Sequence, residues 1–285
     1  MSKDTSITWC DSSLNLEMGC DGCELWNRKL GIKACYSGKL TDQYGGRKGW
    51  PSRFEEPEIF PERIDAALKW KDLTGAERPE KPWLNGLPRI IFLNDMGDTF
   101  TESLPIDWLA PFLPRMAASP HHWLLLTKRP SRMADFSKRH PLPPNVWPGT
   151  SVTSVKTVRR LDLLRGVVGG GPRWCSGEPL LGGVDFRPWL GLENERSWRL
   201  DWLILGGESG GVCRELDLQW IRHPARDALE AGVALFVKQL GGNPGQRRNG
   251  RFEPLKLQDA KGEEWSEWPE DLQFRQMPVL EVAHA

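Results

Sequence analysis

The sequence predicts an α/β fold of successive βα units, arranged as a parallel barrel or a doubly wound sheet. Three observations point to it. Short apolar, β-prone runs alternate with amphipathic stretches about eight times along the chain. The 285 residues suit a single α/β barrel, which commonly runs to about 250 residues, so length alone requires no second domain. The residues just past the apolar runs are polar or charged almost throughout, as expected where strands converge at their carboxyl ends and ligands bind.

The predicted strands, in order, are Ile7 to Cys10, Glu58 to Phe60 (the weakest), Arg89 to Leu93, Trp123 to Leu126, Val146 to Ser151, Arg173 to Ser176, Trp202 to Leu205 and Ala234 to Val237. Each is a short apolar run rich in branched or aromatic residues. The helices between them are Tyr36 to Tyr44, Pro61 to Trp70, Ile106 to Ala118, Ser131 to Lys138, Val155 to Leu164 and Leu218 to Ala231. Ser131 after Pro130, and Asp217 ahead of an apolar-periodic run, are helix-start signals. Between Trp174 and Trp202 only Pro188-Trp-Leu and a polar loop appear, with no convincing helix. Residues 1–240 read as the α/β domain with a cysteine cluster near its start. Residues 241–285, rich in Gly, Pro, Arg, Glu and Trp without periodicity, read as an irregular extension packed on it.

Composition excludes several classes. Lys plus Arg and Asp plus Glu both total 38, so the formal net charge is zero, which argues against a globally basic nucleic-acid binder. With 39% hydrophobic and 27% charged residues the chain fits neither disorder nor a membrane protein. No apolar run nears the roughly 18 residues of a spanning helix, and the opening Met-Ser-Lys-Asp-Thr lacks the apolar core of a signal peptide. The expected compartment is the cytoplasm. There is no phosphate-loop signature and no His-x3-His pair, and His121 and His122 precede a strand, which disfavours triphosphate hydrolysis and hydrolytic zinc chemistry. The 15 tryptophans read as packing residues.

Six cysteines in such a chain point to metal or redox chemistry rather than to disulfides. Gly19-Cys20-Asp21-Gly22-Cys23 is a Cys-x2-Cys turn whose glycines let two thiolates face one metal, and Cys35 adds a third sulfur twelve residues on. Three readings stand side by side: an iron-sulfur cluster on three thiolates with one iron open to a ligand, a four-thiolate zinc site that recruits Cys10, and reduced, unligated thiols. Cys10 reads as a ligand, a catalytic thiol or a small buried hydrophobe, and Cys175 and Cys213 read as small buried hydrophobes.

Taken in order, Ile7-Thr-Trp-Cys-Asp11, the Cys-x2-Cys turn with Cys35-Tyr36, Ile-Phe-Leu-Asn-Asp-Met-Gly-Asp98, Leu-Leu-Thr-Lys-Arg-Pro130, Gly-Thr-Ser-Val-Thr153, Ser-Gly-Glu-Pro-Leu-Leu181, Leu-Gly-Gly-Glu-Ser-Gly210 and Phe-Val-Lys-Gln-Leu240 resemble a family of uncharacterised, radical-SAM-like proteins with a three-cysteine motif, widespread in phages and prophages. The resemblance spans most of residues 5–240. It implies a TIM-like (β/α) barrel, which need not be regular or complete, a 4Fe-4S cluster and S-adenosylmethionine. The spacing here, Cys20-x2-Cys23-x11-Cys35, differs from the usual Cys-x3-Cys-x2-Cys of radical-SAM enzymes.

On that reading Cys20, Cys23 and Cys35 are the metal ligands. Asn94, Asp98, Ser151, Thr153, Gly206, Gly207, Glu208 and Lys238 are cofactor-binding candidates, and Glu178, Lys128 and Asp95 are catalytic candidates. Arg129 beside Lys128 suits a carboxylate or phosphate. The substrate is open, with nucleic acid or a partner protein among the candidates and no membrane. From a different class, a zinc-stabilised nucleic-acid-binding or interaction protein without catalysis would use the Arg247-Arg248-Asn-Gly-Arg251 patch, the Lys128-Arg129 pair and stacking tryptophans.

Overall fold

In the computed structural model of the chain, residues 1–192, 198–210 and 212–280 are described. The polar loop expected before Trp202 lies partly outside them, at 193–197, as do residues 281–285 of the expected extension. The chain divides into two compact units, Met1–Gly149 with Gly166–Gly171, and Thr150–Arg165 with Pro172–Ala285.

The first unit holds strands β1 (Ser12–Leu14), β2 (Glu17–Met18), β3 (Trp26–Asn27), β4 (Ile32–Lys33), β5 (Glu58–Ile59), β6 (Ile90–Leu93), β7 (His122–Thr127) and most of β8 (Val146–Ser151). Its helices are α1 (Tyr36–Tyr44), α2 (Arg63–Ala67), α3 (Leu113–Ala117) and α4 (Pro130–Arg139). Strands β1, β6, β7 and β8 follow one another in the sheet, with β1 on β6 and β6 on β7 parallel. Every residue of β6 is buried, as in a sheet covered on both faces, and Leu14, Ile91, Leu93, Trp123, Leu125 and Phe136 are fully enclosed.

The second unit takes the last residues of β8 and continues through β9 (Trp174–Gly177), β10 (Trp202–Gly206), β11 (Leu216–Asp217), β12 (Ala234–Gln239), β13 (Pro244–Arg248) and β14 (Arg251–Pro254), with helices α5 (Arg160–Leu164), α6 (Arg187–Leu190) and α7 (Gln219–Glu230). Here β10 is central, parallel to both β9 and β12, and all five of its residues are buried. The indole of Trp202 is packed at 5.7 Å from Trp174 and at 6.1 Å from Phe236.

Within the first unit the strand order is β1-β6-β7-β8, and within the second it is β9-β10-β12. One of the expected strands is not formed where its apolar run placed it, and another lies outside the main sheet. Ile7 to Cys10 forms a turn, because its carbonyls are taken by side chains: Lys81 Nζ donates to the Thr5, Ile7 and Cys10 oxygens at 2.7 Å each, and Trp83 Nε1 to Thr8. The first strand is instead the polar-looking Ser12–Leu14, whose Ser12 hydroxyl is satisfied by the Lys3 carbonyl and the Arg89 guanidinium. Glu58–Ile59 pairs antiparallel with Glu17–Met18, outside the main sheet. Several helices are shorter than their periodicity: Pro61 to Trp70 becomes Arg63–Ala67, and Val155 to Leu164 becomes Arg160–Leu164. The expected extension is partly regular, since Asn249-Gly250, both at positive φ, turn the β13–β14 hairpin.

Asp11 sets the start of this sheet. Its carboxylate receives Arg78 Nε at 2.9 Å and the Ile90 backbone N–H at 2.8 Å, and Asp11 and Arg78 are both buried. Asp11→Ala leaves the Arg78 charge buried and unpaired, and is expected to cost about 3–5 kcal/mol. Urea unfolding checks it; a loss under about 1 kcal/mol would contradict this role for the pair.

Candidate functional site

The cysteine motif is built from a turn and a hairpin. Gly22, at φ +97°, lets the chain reverse between Cys20 and Cys23. The eleven residues from Cys23 to Cys35 contain the β3–β4 hairpin, which returns the chain so that the Cys35 and Ala34 N–H groups both donate to the Leu25 carbonyl at 2.9 Å. Cys35 then sits at the N-cap of α1. Cys20 is enclosed with Trp26 and Phe54, and Cys35 packs against the same group.

Two sulfurs accept backbone hydrogen bonds: Cys20 Sγ from Gly22 N–H and Cys23 Sγ from Leu25 N–H, each at 3.4 Å. Cys20 also receives Arg129 Nη1 at 3.4 Å. Burial pushes the Cys20 thiol up to about 12, with Asp98 adding to the rise and Arg129 opposing it. The Cys23 thiol is likewise raised, by burial first, against the pull of Lys128. Lys128 is driven the other way: burial disfavours its charge, but Cys23, Glu24, Cys35 and Asp98 together raise its pKa above the ordinary lysine value.

Asp98 ties the cysteine loop to the strand ends. Oδ1 accepts from Thr127 Oγ1 at 2.6 Å and Phe100 N–H at 3.1 Å; Oδ2 accepts from the Lys128 N–H and Arg129 Nη1 at 3.0 Å each. Asp21, inside the Cys-x2-Cys turn, accepts from Thr101 Oγ1 and from the Glu102 and Ser103 N–H groups, and these bonds hold its pKa below the usual value despite partial burial. Asn94, at φ +60°, accepts from the Leu16 and Glu17 N–H groups and donates to Thr99. Asp95 receives the Tyr36 hydroxyl and Ser37 hydroxyl on its backbone carbonyl, and burial raises its carboxyl pKa. Thus Cys20, Cys23, Cys35, Asp98, Lys128 and Arg129 are brought together, while Asn94 is engaged in shaping the turn after β1.

Glu17 is the residue that sequence reasoning missed. It is fully enclosed, and neither carboxyl oxygen has a hydrogen-bond partner among the described residues. A Cβ on Gly97 would lie 2.3 Å from its Oε1, so only glycine fits opposite. Burial, then the neighbouring Asp98, raises its pKa well above the ordinary 4.5. The available signal was a carboxylate between apolar neighbours in Leu14-Asn-Leu-Glu-Met18.

The second unit gathers the other candidates. Glu178 forms an ion pair with Lys238, both side chains being under a fifth exposed, and the Glu178-Pro179 bond is cis. The Glu178 Cγ lies beside Gly206, and a Cβ on Gly207 would come 2.3 Å from the Leu240 carbonyl oxygen, so strand packing requires glycine at 207. Glu208 is gripped by Arg214 through two guanidinium bonds, 2.9 and 2.7 Å, and by the Arg214 N–H at 3.1 Å. Ser151 and Thr153 are buried; the Ser151 carbonyl accepts from Arg160, and the Thr153 N–H donates to Thr157 Oγ1. Of the basic patch, Arg247 pairs with Glu215 and Arg248 with Glu253.

Among the described residues no group of three His, Cys, Asp or Glu side chains is placed to hold a metal ion. The donor set nevertheless suits an iron-sulfur cluster: three soft sulfurs, N–H groups directed at two of them, and two cations beside them. Cys10 is not in the apolar group that holds Cys20 and Cys35; it is fully buried, with its thiol pushed up by desolvation.

A parallel α/β chain with a cysteine-bearing loop is the class that fold and site define. Over residues 4–269 the chain matches, and belongs to, the family described as protein of unknown function (DUF5131). No curated protein and no solved structure matches it. No described helix is long and apolar enough to cross a membrane.

Replacing the unsatisfied Glu17 carboxyl by an apolar side chain of similar length should stabilise the fold, with Glu17→Met gaining about 1–3 kcal/mol in urea unfolding at neutral pH. Between pH 4.5 and its raised folded value, the folded chain holds a proton that the unfolded chain has released. Wild-type stability therefore falls as pH rises through that window, and the advantage of the variant grows. An advantage that shrinks with rising pH would contradict the assignment.

Proposed function

We propose that the chain is a radical S-adenosylmethionine-type iron-sulfur protein of phage or prophage origin, on a TIM-like barrel, with Cys20, Cys23 and Cys35 as ligands. The observation that carries this reading is the return of Cys35 by the β3–β4 hairpin to the enclosed group that holds Cys20, with N–H groups on two sulfurs and two cations alongside. The long Cys23-x11-Cys35 spacing is thereby compatible with a three-thiolate site. A 4Fe-4S cluster on three thiolates leaves one iron open, and with S-adenosylmethionine it supplies one-electron cleavage to a carbon radical.

The chain's own residues prepare that site. The enclosure by Trp26 and Phe54 keeps water from Cys20. Asp21 fixes the turn to residues 101–103, and Asp98 aligns Arg129. The parallel pairing of β1 with β6, β6 with β7, and β9 and β12 with β10 supports the barrel expectation. Glu178, paired with Lys238, is poised to hold or move a proton at its carboxylate if a ligand displaces the ammonium. Glu208 serves a ligand's ammonium group only if Arg214 releases it. The substrate class in this reading is open, with nucleic acid modification as one direction.

The zinc-stabilised, nucleic-acid-binding alternative draws on the β13–β14 hairpin, but Arg247 and Arg248 already have carboxylate partners, which weakens a phosphate-binding role.

After anaerobic purification, Cys20→Ala, Cys23→Ala and Cys35→Ala are each expected to lose bound iron, while Cys175→Ala and Cys213→Ala keep it. Iron retained in all three ligand variants, measured per folded chain, would overturn the ligand assignment.

A further inference from the structure

Arg129 stands two residues past β7, and its side chain reaches the cysteine turn. Arg129 spreads one guanidinium over three acceptors: Nη1 takes Cys20 Sγ at 3.4 Å and Asp98 Oδ2 at 3.0 Å, and Nη2 takes the Gly22 carbonyl at 2.9 Å. A planar fork of fixed donors suits this arrangement, which a lysine could not reproduce. One side chain thus holds both a thiol and the backbone of the Cys-x2-Cys turn.

The backbone fixes where that guanidinium starts. Lys128 N–H donates to Asp98 Oδ2, Arg129 N–H donates to Thr127 Oγ1 at 2.9 Å, and Pro130 opens α4 with Arg129 outside the helix at φ −122°.

We propose that Arg129 is a positioning residue for Cys20, acting as a fixed countercharge to its thiolate and not as a contact to a substrate. This rests on the iron-sulfur reading above. The guanidinium stabilises the more negative, reduced state of a bound cluster, and so raises its reduction potential and slows its loss.

The test uses the full chain, purified anaerobically, as wild type, Arg129→Gln and Arg129→Lys. Iron and sulfide per chain, the midpoint potential, and the rate of iron loss to a chelator are measured for each. Arg129→Gln is expected to have a more negative potential than wild type and to lose iron several-fold faster. Arg129→Lys keeps the potential approximately but loses iron faster, because the grip on the Gly22 carbonyl is gone. Should Arg129→Gln fail to fold, the charge-retaining Arg129→Lys decides by that separation of potential from retention. Wild-type potential and retention in Arg129→Gln would overturn the countercharge role while leaving the cluster in place. A wild-type chain that binds neither iron nor sulfide would overturn both readings.

Discussion

Asp98 is the carboxylate on which the first unit's loops depend. It stands just past β6 and accepts hydrogen bonds from a backbone N–H two residues on, from the Thr127 hydroxyl and the Lys128 N–H at the end of β7, and from Arg129. Arg129 extends the chain of contacts to Cys20 and to the Gly22 carbonyl. Two strand ends and the cysteine turn therefore share one anchor. With both oxygens engaged by two donors each, that anchor is saturated and well suited to hold an anion in a water-poor place.

Beside it lies the opposite case. Glu17 has comparable burial and no hydrogen-bond partner, so burial pushes its proton affinity up. The two neighbouring carboxyl groups thus sit in opposite hydrogen-bonding environments, one fully engaged and one left, by burial, with a raised proton affinity. The same unit contains soft sulfurs, two cations, a hydrogen-bonded carboxylate and a buried acid around one loop. The second unit is organised differently, by pairs already closed on themselves: Glu178 with Lys238 and Glu208 with Arg214.

Much of this was legible in the sequence. The runs at Ile90–Leu93, His122–Thr127, Val146–Ser151 and Trp202–Gly206 announce themselves because strands buried on both faces are continuously apolar or small. Helix α1 could be read to the residue, Tyr36–Tyr44. What failed depended on long-range partners. Ile7 to Cys10 looks like a strand until Lys81, some seventy residues away in sequence, takes its carbonyls. Ser12–Leu14 looks like a loop until Arg89 satisfies its hydroxyl. At the site, residue type pointed to the three cysteines and to Lys128 and Arg129, but not to how Arg129 divides its donors or to a carboxyl left without any. Periodicity reports which face is buried; it does not report which buried polar groups find each other.

Cys20, Cys23 and Cys35 are proposed to hold together an iron-sulfur cluster with one position open to a ligand. The most direct measurement is the electron paramagnetic resonance spectrum of the anaerobically purified, dithionite-reduced chain, before and after S-adenosylmethionine is added, with iron and sulfide determined on the same sample. The account predicts about four irons and four sulfides per chain and a reduced-cluster signal whose g values shift when S-adenosylmethionine is present. A colourless zinc protein, or a cluster signal that S-adenosylmethionine leaves unchanged, would contradict it.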